Sequence, residues 1–299
     1  MRISVPSGFD FTLSNKKLTA IRTFVGVITT VLTLSACSIG KPVMKSTAQV
    51  HAELEPGYHI FKPKGDPPYP TIMMLHGASD TAWFAVYEGW AKDFQSEGYA
   101  VVAVDSYHSR GIGGRNLRSG TLLPGERAAD ILVTLDWMKR QSWIKQDAIA
   151  AVGWSHGGGT ILDGLVLNPP KRRPTGLIDL PESTMMDLKA VVLFYPGCLD
   201  KVMGIELMKV IENDWEETPP MLAFLPRHDE VANMKLCARI LDRHLAKGHP
   251  ITYNWVNGGH SFDQATDDYG QPFSTSDAKL KKQTWDQMFE FLDKQLKKN

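Results

Sequence analysis

Short apolar runs and helical patterns alternate along this chain, and the alternation limits the folds open to it. Six runs have the length and composition of buried strands: TIMMLHG, YAVVAVDSY, AIAAVGW, AVVLFYPG, PMLAFLPR and ITYNWV. Between them, apolar residues recur at helical spacing, as at Ala128, Ile131, Leu132, Leu135 and Met138, and at Trp285, Met288, Phe289, Leu292 and Leu296. Strands that alternate with helices are joined by right-handed crossovers. We therefore predict an α/β fold with a mainly parallel central sheet and helices on both faces.

Composition and charge exclude several classes of protein. The chain has 299 residues, of which 43% are hydrophobic, so it can bury the core of one globular domain. Its formal net charge is zero, and no basic block is interleaved with aromatic residues as a nucleic-acid groove would require. We predict no nucleic-acid partner.

The N-terminal region has the pattern of an export signal. Lys16, Lys17 and Arg22 precede the uncharged run TFVGVITTVLTLSA, which is too short to span a bilayer. The run ends in LSAC, which resembles the lipobox of bacterial lipoproteins and predicts lipidation of Cys37. The alternative is an ordinary secretory signal with an incidental cysteine. We interpret residues 1–36 as signal peptide, 37–48 as a lipid-attached tether and 49–299 as the folded domain, anchored in the bacterial envelope and facing the periplasm or the surface.

One segment interrupts the alternation of strand and helix. Residues 168–189, NPPKRRPTGLIDLPESTMMDLK, are rich in proline and charge. Such a segment is either a lid over a site or a long surface connection, and a surface connection is the more common of the two.

The stretch GWSHG at residues 153–157 fits the motif G-x-S-x-G. It lies where a predicted buried strand passes into a helix, which is the context that this motif requires. The glycines allow close backbone approach at a sharp turn, and the N-terminus of the new helix directs partial positive charge at the serine. The pattern predicts that Ser155 is a nucleophile.

A serine hydroxyl needs a base to accept its proton and an acid to orient that base. Asp229 follows the strand PMLAFLP, and His260 follows the strand ITYNWV in a Gly-Gly turn. Both positions lie at the carboxyl ends of strands, in the chain order that this fold requires. We predict Asp229 as the acid and His260 as the base, with Glu230 as the rival acid.

Attack on a carbonyl also needs donors for the oxyanion that forms. The position immediately after the nucleophile predicts the backbone N–H of His156 as one donor. The loop after TIMMLHG predicts the backbone N–H of Ala78 as the second.

Six motifs along the chain together resemble those of a known family. LHGASD, VDSYHSRGI, GWSHGGG, YPGC, PRHDEV and NGGHSFD, in this order, are similar to the dienelactone hydrolase family of α/β hydrolases. The resemblance runs from about residue 50 to the end and implies the α/β-hydrolase fold, with Ser155 as nucleophile, Asp229 as acid and His260 as base. The enzyme that names the family uses cysteine as its nucleophile, so a dienelactone substrate does not follow from the resemblance.

Two sets of residues have both a functional and a structural interpretation. Arg110, Arg115 and Arg118 lie in a glycine-rich loop after the strand that ends near Asp105. They either clamp a substrate anion or anchor the loop, and we favour an anchor, with Arg110 paired to an acid such as Asp105. Trp83, Phe84 and Trp154 either line an acyl pocket or belong to the core or its rim.

The remaining two cysteines, Cys198 and Cys237, lie in a domain that we expect to be exported to an oxidising compartment. We predict a disulfide between them, with two separate buried thiols as the alternative.

The sequence thus predicts a serine hydrolase that cleaves a small acyl substrate, such as a carboxylic ester or lactone, through an acyl-enzyme without metal or cofactor. The alternatives are a peptidase or acyltransferase on the same triad, or an idle envelope-binding protein that keeps the fold. The oligomeric state is not indicated.

Overall fold

The fold is given by a computed structural model that describes residues 43–78, 86–112, 122, 124–167, 173–198, 201–202, 205–206, 214–266 and 274–297. Residues Met44–Asn299 belong to one compact unit. Its strands are β1 (Tyr58–Phe61), β2 (Tyr69–Leu75), β3 (Ala100–Val104), β4 (Ile144–Trp154), β5 (Ala190–Phe194), β6 (Lys201–Val202), β7 (Ile205–Glu206), β8 (Met221–Pro226) and β9 (Ile251–Val256). Its helices are α1 (Thr47–Leu54), α2 (Glu88–Ser96), α3 (Pro124–Lys139), α4 (His156–Val166), α5 (Met234–Leu245) and α6 (Ala278–Leu296).

Seven strands form one sheet in the order β1-β3-β2-β4-β5-β8-β9. Strand β1 is antiparallel to β3, and every other pairing in this sheet is parallel. Strands β3, β5 and β8 are buried along their whole length, as expected of strands covered by helices on both faces. The predicted fold class is therefore confirmed.

The predicted strands and helices agree with the structure except at some ends and one edge. Strand β4 begins at Ile144, four residues before the predicted run, and the edge strand β1 was not predicted. In α3 and α6 the apolar residues at helical spacing form the buried face, apart from the partly buried Phe289. Among the described residues, no helix has the length and apolar character needed to cross a membrane.

The N-terminal part of the domain is tied to the chain near residue 177. Ser46 caps α1 in a capping box with Gln49. The N–H of Lys45 donates to the carbonyl oxygen of Gly176 at 2.8 Å, and the N–H of Ile178 donates to that of Lys45 at 2.9 Å. Contacts with the folded domain therefore begin at Lys45, inside the segment predicted to be a tether.

The described part of the Pro-rich segment, residues 173–189, lies where the amino ends of the parallel strands meet. We call this the amino-end edge of the sheet, and the opposite end, where Ser155 lies, the carboxyl-end edge. Helix α4 starts at the carboxyl end of β4 and returns, so residues 173–189, which lead into β5, lie at the opposite edge from Ser155. Residues 168–172 of the predicted segment lie outside the described residues. The carboxylate of Asp136 accepts hydrogen bonds from the N–H groups of Glu182 and Ser183, and Lys139 pairs with Asp187 at 2.8 Å. These residues form a surface connection rather than a lid.

Candidate active site

Ser155 lies in the sharp turn between β4 and α4. Its backbone has φ 48° and ψ −117°, a conformation that non-glycine residues rarely adopt. The Ser155 N–H donates to the carbonyl oxygen of Phe194 at 3.0 Å, and the Ser155 carbonyl accepts from the N–H of Gly197 at 2.7 Å. Tertiary hydrogen bonds therefore hold the strained backbone that presents the hydroxyl.

The glycines around Ser155 are required by close backbone approach. A Cβ at Gly153 would lie 2.8 Å from the carbonyl oxygen of Gly157, and a Cβ at Gly157 would lie 2.7 Å from that of His76. Real Cβ atoms do not approach backbone atoms so closely, so a side chain at either position would displace the turn or the end of β2.

The three predicted side chains form a continuous hydrogen-bonded chain. The Nε2 atom of His260 lies 2.9 Å from Oγ of Ser155, and Nδ1 lies 2.7 Å from Oδ2 of Asp229. A carboxylate only accepts, so Nδ1 carries the proton and Nε2 of the neutral ring is free to accept from the hydroxyl. This is the arrangement in which a histidine removes a serine proton.

The carboxylate of Asp229 is fixed by its own loop. Its side chain is 1% exposed, and Oδ1 accepts hydrogen bonds from the N–H groups of Val231 at 2.9 Å and Ala232 at 2.8 Å. The rival acid, Glu230, is exposed. The geometry places Asp229 rather than Glu230 against the imidazole.

A second buried carboxylate, that of Asp263, lies beneath the histidine loop. It accepts hydrogen bonds from the hydroxyl of Tyr195 at 2.6 Å and from the indole N–H groups of Trp154 at 2.9 Å and Trp285 at 3.3 Å. Burial raises the pKa of the Asp263 carboxyl. The ring of Tyr195 lies against the imidazole of His260, with their centroids 4.8 Å apart. Neither Asp263 nor Tyr195 was predicted from the sequence, where the only available signals were the nearness of Asp263 to His260 and of Tyr195 to the end of a strand.

Trp154 is a core residue, which corrects its prediction as a pocket wall. It is fully buried and stacks between Trp90 and Phe194, with ring centroids 4.6 Å and 5.5 Å away. The indole therefore packs in the core next to the turn that carries Ser155. Trp83 and Phe84, the other two predicted wall residues, lie outside the described residues.

Arg110 anchors its loop, but not to the predicted acid. Its guanidinium makes two hydrogen bonds to Asp130, at 2.7 and 2.9 Å, and its Nε lies 3.4 Å from Glu53. Asp105 instead binds the N–H and the ring of His108, because its carboxylate closes the turn after β3. Arg110 is therefore committed to protein partners, so its interpretation as a clamp for a substrate anion is wrong and its interpretation as an anchor is confirmed. Arg115 and Arg118 lie outside the described residues.

The two predicted oxyanion donors come from segments that meet at Ser155. His156 is the first residue of α4, so its N–H has no acceptor within the helix. Ala78 is exposed and follows Gly77, whose N–H donates to the hydroxyl of Tyr87 at 2.8 Å. A Cβ at Gly77 would lie 3.4 Å from Cβ of Ser155, so the turn after β2 borders the nucleophile.

Cys198 and Cys237 are joined by a disulfide bond in the structure, and both are fully buried. Cys198 follows β5, and Cys237 lies in the first turns of α5. The bridge therefore connects the carboxyl edge of the sheet to the helix that follows the Asp229 loop. Among the described residues, no group of three or more His, Cys, Asp or Glu side chains is placed to hold a metal ion.

A family model for X-Pro dipeptidyl-peptidases (S15 family) matches residues 57–268, well over half of the chain. The chain belongs to this family. It is thus a serine hydrolase with the α/β-hydrolase fold, and the predicted relationship to dienelactone hydrolases holds at the level of that superfamily.

The chain spans about a sixth of the length of the curated relatives that it matches. It is 31% identical over 110 residues to dipeptidyl aminopeptidase BIII of Pseudoxanthomonas mexicana, covering 36% of this chain and 16% of that protein. It is 29% identical over 136 residues to acylamino-acid-releasing enzyme 1 of Oryza sativa subsp. japonica, covering 40% of this chain and 17% of that protein.

Solved structures share the fold at low sequence identity. A putative dienelactone hydrolase from Klebsiella pneumoniae superposes with a TM-score of 0.60 at 15% identity, covering 79% of this chain and 91% of that chain. Esterase 2 of Thermogutta terrifontis, phosphorylated by paraoxon, superposes with a TM-score of 0.59 at 17% identity, covering 79% and 88%.

Proposed function

We propose that the protein cleaves carboxylic esters, lactones or related small acyl substrates through an acyl-enzyme on Ser155. The observation that carries this proposal is the hydrogen-bonded chain from Ser155 Oγ through His260 to the buried carboxylate of Asp229. Each of the three groups has the partner that nucleophilic catalysis requires.

In the proposed reaction, Nε2 of His260 accepts the Ser155 proton while Oγ attacks the carbonyl carbon. The carbonyl electron pair moves onto oxygen, where the N–H groups of His156 and Ala78 are the proposed donors. Collapse of this intermediate expels the alcohol, which takes the proton from His260. Water then attacks the acyl-enzyme with His260 again as base, which releases the acid and restores Ser155.

A peptidase is the second candidate, and the family match favours it. The matched model describes X-Pro dipeptidyl-peptidases, and the two curated relatives are named as a dipeptidyl aminopeptidase and an acylamino-acid-releasing enzyme. The same triad serves ester and amide cleavage, and also acyl transfer when another alcohol replaces water. The substrate therefore has to be decided by measurement.

A matched pair of leaving groups separates the two candidates. We would compare p-nitrophenyl esters and p-nitroanilides of the same acyl group, using acetyl, butyryl and Gly-Pro groups. The proposal predicts higher kcat/KM for the acetyl or butyryl ester than for every anilide, relative to the spontaneous hydrolysis of each. Selective cleavage of the Gly-Pro anilide would replace the esterase by the peptidase.

We also propose that Cys37 carries a lipid that holds the domain at the bacterial envelope. The order of basic residues, short apolar run and LSAC supports this proposal. Wild-type protein should partition into detergent, and the Cys37→Ala variant should not. A wild-type protein whose mature N-terminus is not a modified Cys37 would contradict it.

A further inference from the structure

Arg127 is a fully buried cation on α3. None of the carboxylates that the structure describes forms an ion pair with it, whereas Arg110, near the same helix, is paired with Asp130. The Nε atom of Arg127 is buried without a hydrogen-bond partner. A guanidinium stays protonated in proteins, and an unpaired buried charge is costly. The position therefore calls for a function beyond packing.

The guanidinium of Arg127 contacts both segments that supply the proposed oxyanion donors. One amino group donates to Nδ1 of His156 at 2.7 Å, and the other donates to the carbonyl oxygen of His76 at 2.6 Å. His156 carries the first proposed donor, and Ala78, with the second, lies two residues after His76. The Cζ atom of Arg127 lies over the Tyr107 ring, 5.1 Å from its centroid.

His156 is a neutral partner in this arrangement. Burial and the nearby charge of Arg127 lower the pKa of its imidazole to about 3. Because Arg127 only donates, Nδ1 of His156 must accept, and the ring proton is on Nε2. The charge at this position therefore belongs to Arg127.

We propose that Arg127 is the positioning residue of the oxyanion site: its guanidinium fixes His156 and the turn after β2 relative to each other, and its uncompensated charge favours the oxyanion. This inference rests on the proposed acyl-enzyme mechanism. Fixed donors require no rearrangement when negative charge develops, and a buried cation acts strongly where water is excluded. Arg127 acts through its contacts with the imidazole of His156 and the carbonyl oxygen of His76, and through its charge.

The test compares Arg127→Met with the wild type on p-nitrophenyl acetate and against an alkyl trifluoromethyl ketone, which forms an oxyanion when a serine adds to it. We expect kcat to fall about 10²-fold, as for loss of one oxyanion donor, while KM changes by less than about threefold. Affinity for the trifluoromethyl ketone should fall by a similar factor.

Two further variants keep the inference testable if Arg127→Met does not fold. Arg127→Lys keeps the charge but cannot donate to both acceptors in the same fork, so its kcat should fall by about tenfold or more. His156→Asn places an oxygen near the position of Nδ1, so its kcat should fall less than that of His156→Leu, which should resemble Arg127→Met.

The matched control is Thr134→Val. Thr134 is a buried polar residue on the same helix, bonded to the hydroxyl of Tyr58 at 3.0 Å and remote from both oxyanion segments. This variant should lower stability and leave kcat unchanged. A folded Arg127→Met or Arg127→Lys protein with wild-type kcat and wild-type affinity for the trifluoromethyl ketone would overturn the inference. Failure of the acyl-enzyme proposal would differ, since the wild type itself would then not bind the trifluoromethyl ketone covalently.

Discussion

The turns at the amino-end edge and at the carboxyl-end edge of the central sheet differ in which residues adopt a positive φ. At the amino-end edge, the turns into β3 and β9 place their left-handed residue at a glycine, Gly98 with φ 86° and Gly248 with φ 86°. At the carboxyl-end edge, Gly111 after β3 also has a positive φ, of 65°, but so do three residues that carry side chains, namely Ser155, Tyr195 and Ser261. These are the three non-glycine residues with positive φ in the described part of the chain.

The difference shows where this fold tolerates local strain. A left-handed non-glycine residue costs free energy and persists only where surrounding contacts determine it. Ser155 carries the proposed nucleophile, Tyr195 lies against His260, and Ser261 directly follows His260. The strain therefore coincides with the groups whose positions matter for the proposed chemistry. We expect substitutions at the carboxyl-end edge to lower turnover, and substitutions at the amino-end edge to leave it unchanged.

The largest effect is expected from Ser155→Ala. The change removes the nucleophilic oxygen and little volume, so kcat should fall by about 10⁴- to 10⁶-fold while the protein stays folded. The measurement is steady-state hydrolysis of the best ester, with circular dichroism to verify the fold. A folded variant that keeps a tenth of the wild-type activity would remove Ser155 from its proposed role.

Loss of the Cys198–Cys237 bridge should be the next largest effect. The two residues are separated by 39 positions, and the chain-entropy model then gives a loss of about 4 kcal/mol in the free energy of unfolding. Because the bridge holds the start of α5 beside the Asp229 loop, turnover of Cys198→Ser should also fall at temperatures where it remains folded. Denaturant titration and assays at low temperature measure both quantities.

Thiol titration tests the premise of that prediction. Denatured, unreduced wild-type protein should contain no reactive thiol at either position. Two free thiols at Cys198 and Cys237 would mean that the bridge does not form.

His156, at the carboxyl-end edge, should also make the free energy of unfolding fall in acid. The pKa of His156 is about 3 in the folded protein, below the value of about 6.5 expected in the unfolded chain. The unfolded state then binds more protons between these values, so the free energy of unfolding falls as the pH falls from 6 to 4. One histidine contributes about 1.4 kcal/mol per pH unit in this range.

The variant His156→Asn isolates this contribution, since it keeps an acceptor for Arg127 but cannot be protonated. Unfolding by urea at pH 6, 5 and 4 should show a shallower dependence than the wild type by about one proton. Equal slopes in the two proteins would show that His156 is not held neutral.

The smallest effect is expected at the amino-end edge. Lys139 pairs with Asp187 across the surface connection, and their side chains are 42% and 28% exposed. Exposed ion pairs contribute about 0–1 kcal/mol, so Lys139→Ala should change the free energy of unfolding by less than about 1 kcal/mol. Its kcat should equal that of the wild type. A loss of turnover in this variant would break the distinction between the two edges.

Much of this comparison could be predicted from local sequence patterns. The strand runs, the glycines around Ser155 and the positions after two strands were enough to select the three side chains that the structure brings together. Chain order and the carboxyl ends of parallel strands determine such placements, and both can be read from the sequence.

Contacts between distant segments could not be predicted in this way. Arg127 and Asp263 lie far along the chain from the partners they contact, and the partner of Arg110 is Asp130 on the next helix rather than the nearby Asp105. A tryptophan such as Trp154 is as typical of a pocket as of a core. Only the packing of Trp90 and Phe194 around it shows that it belongs to the core.

The central claim is that Ser155 is an activated nucleophile, and covalent labelling tests it most directly. Folded wild-type protein would be treated with a fluorophosphonate, digested and analysed by mass spectrometry, beside Ser155→Ala and His260→Ala. The account predicts one phosphonylated residue, Ser155, with no label in Ser155→Ala and strongly slowed labelling in His260→Ala. Absence of label on Ser155 in folded wild-type protein would contradict the account and favour a binding protein that keeps the fold without its chemistry.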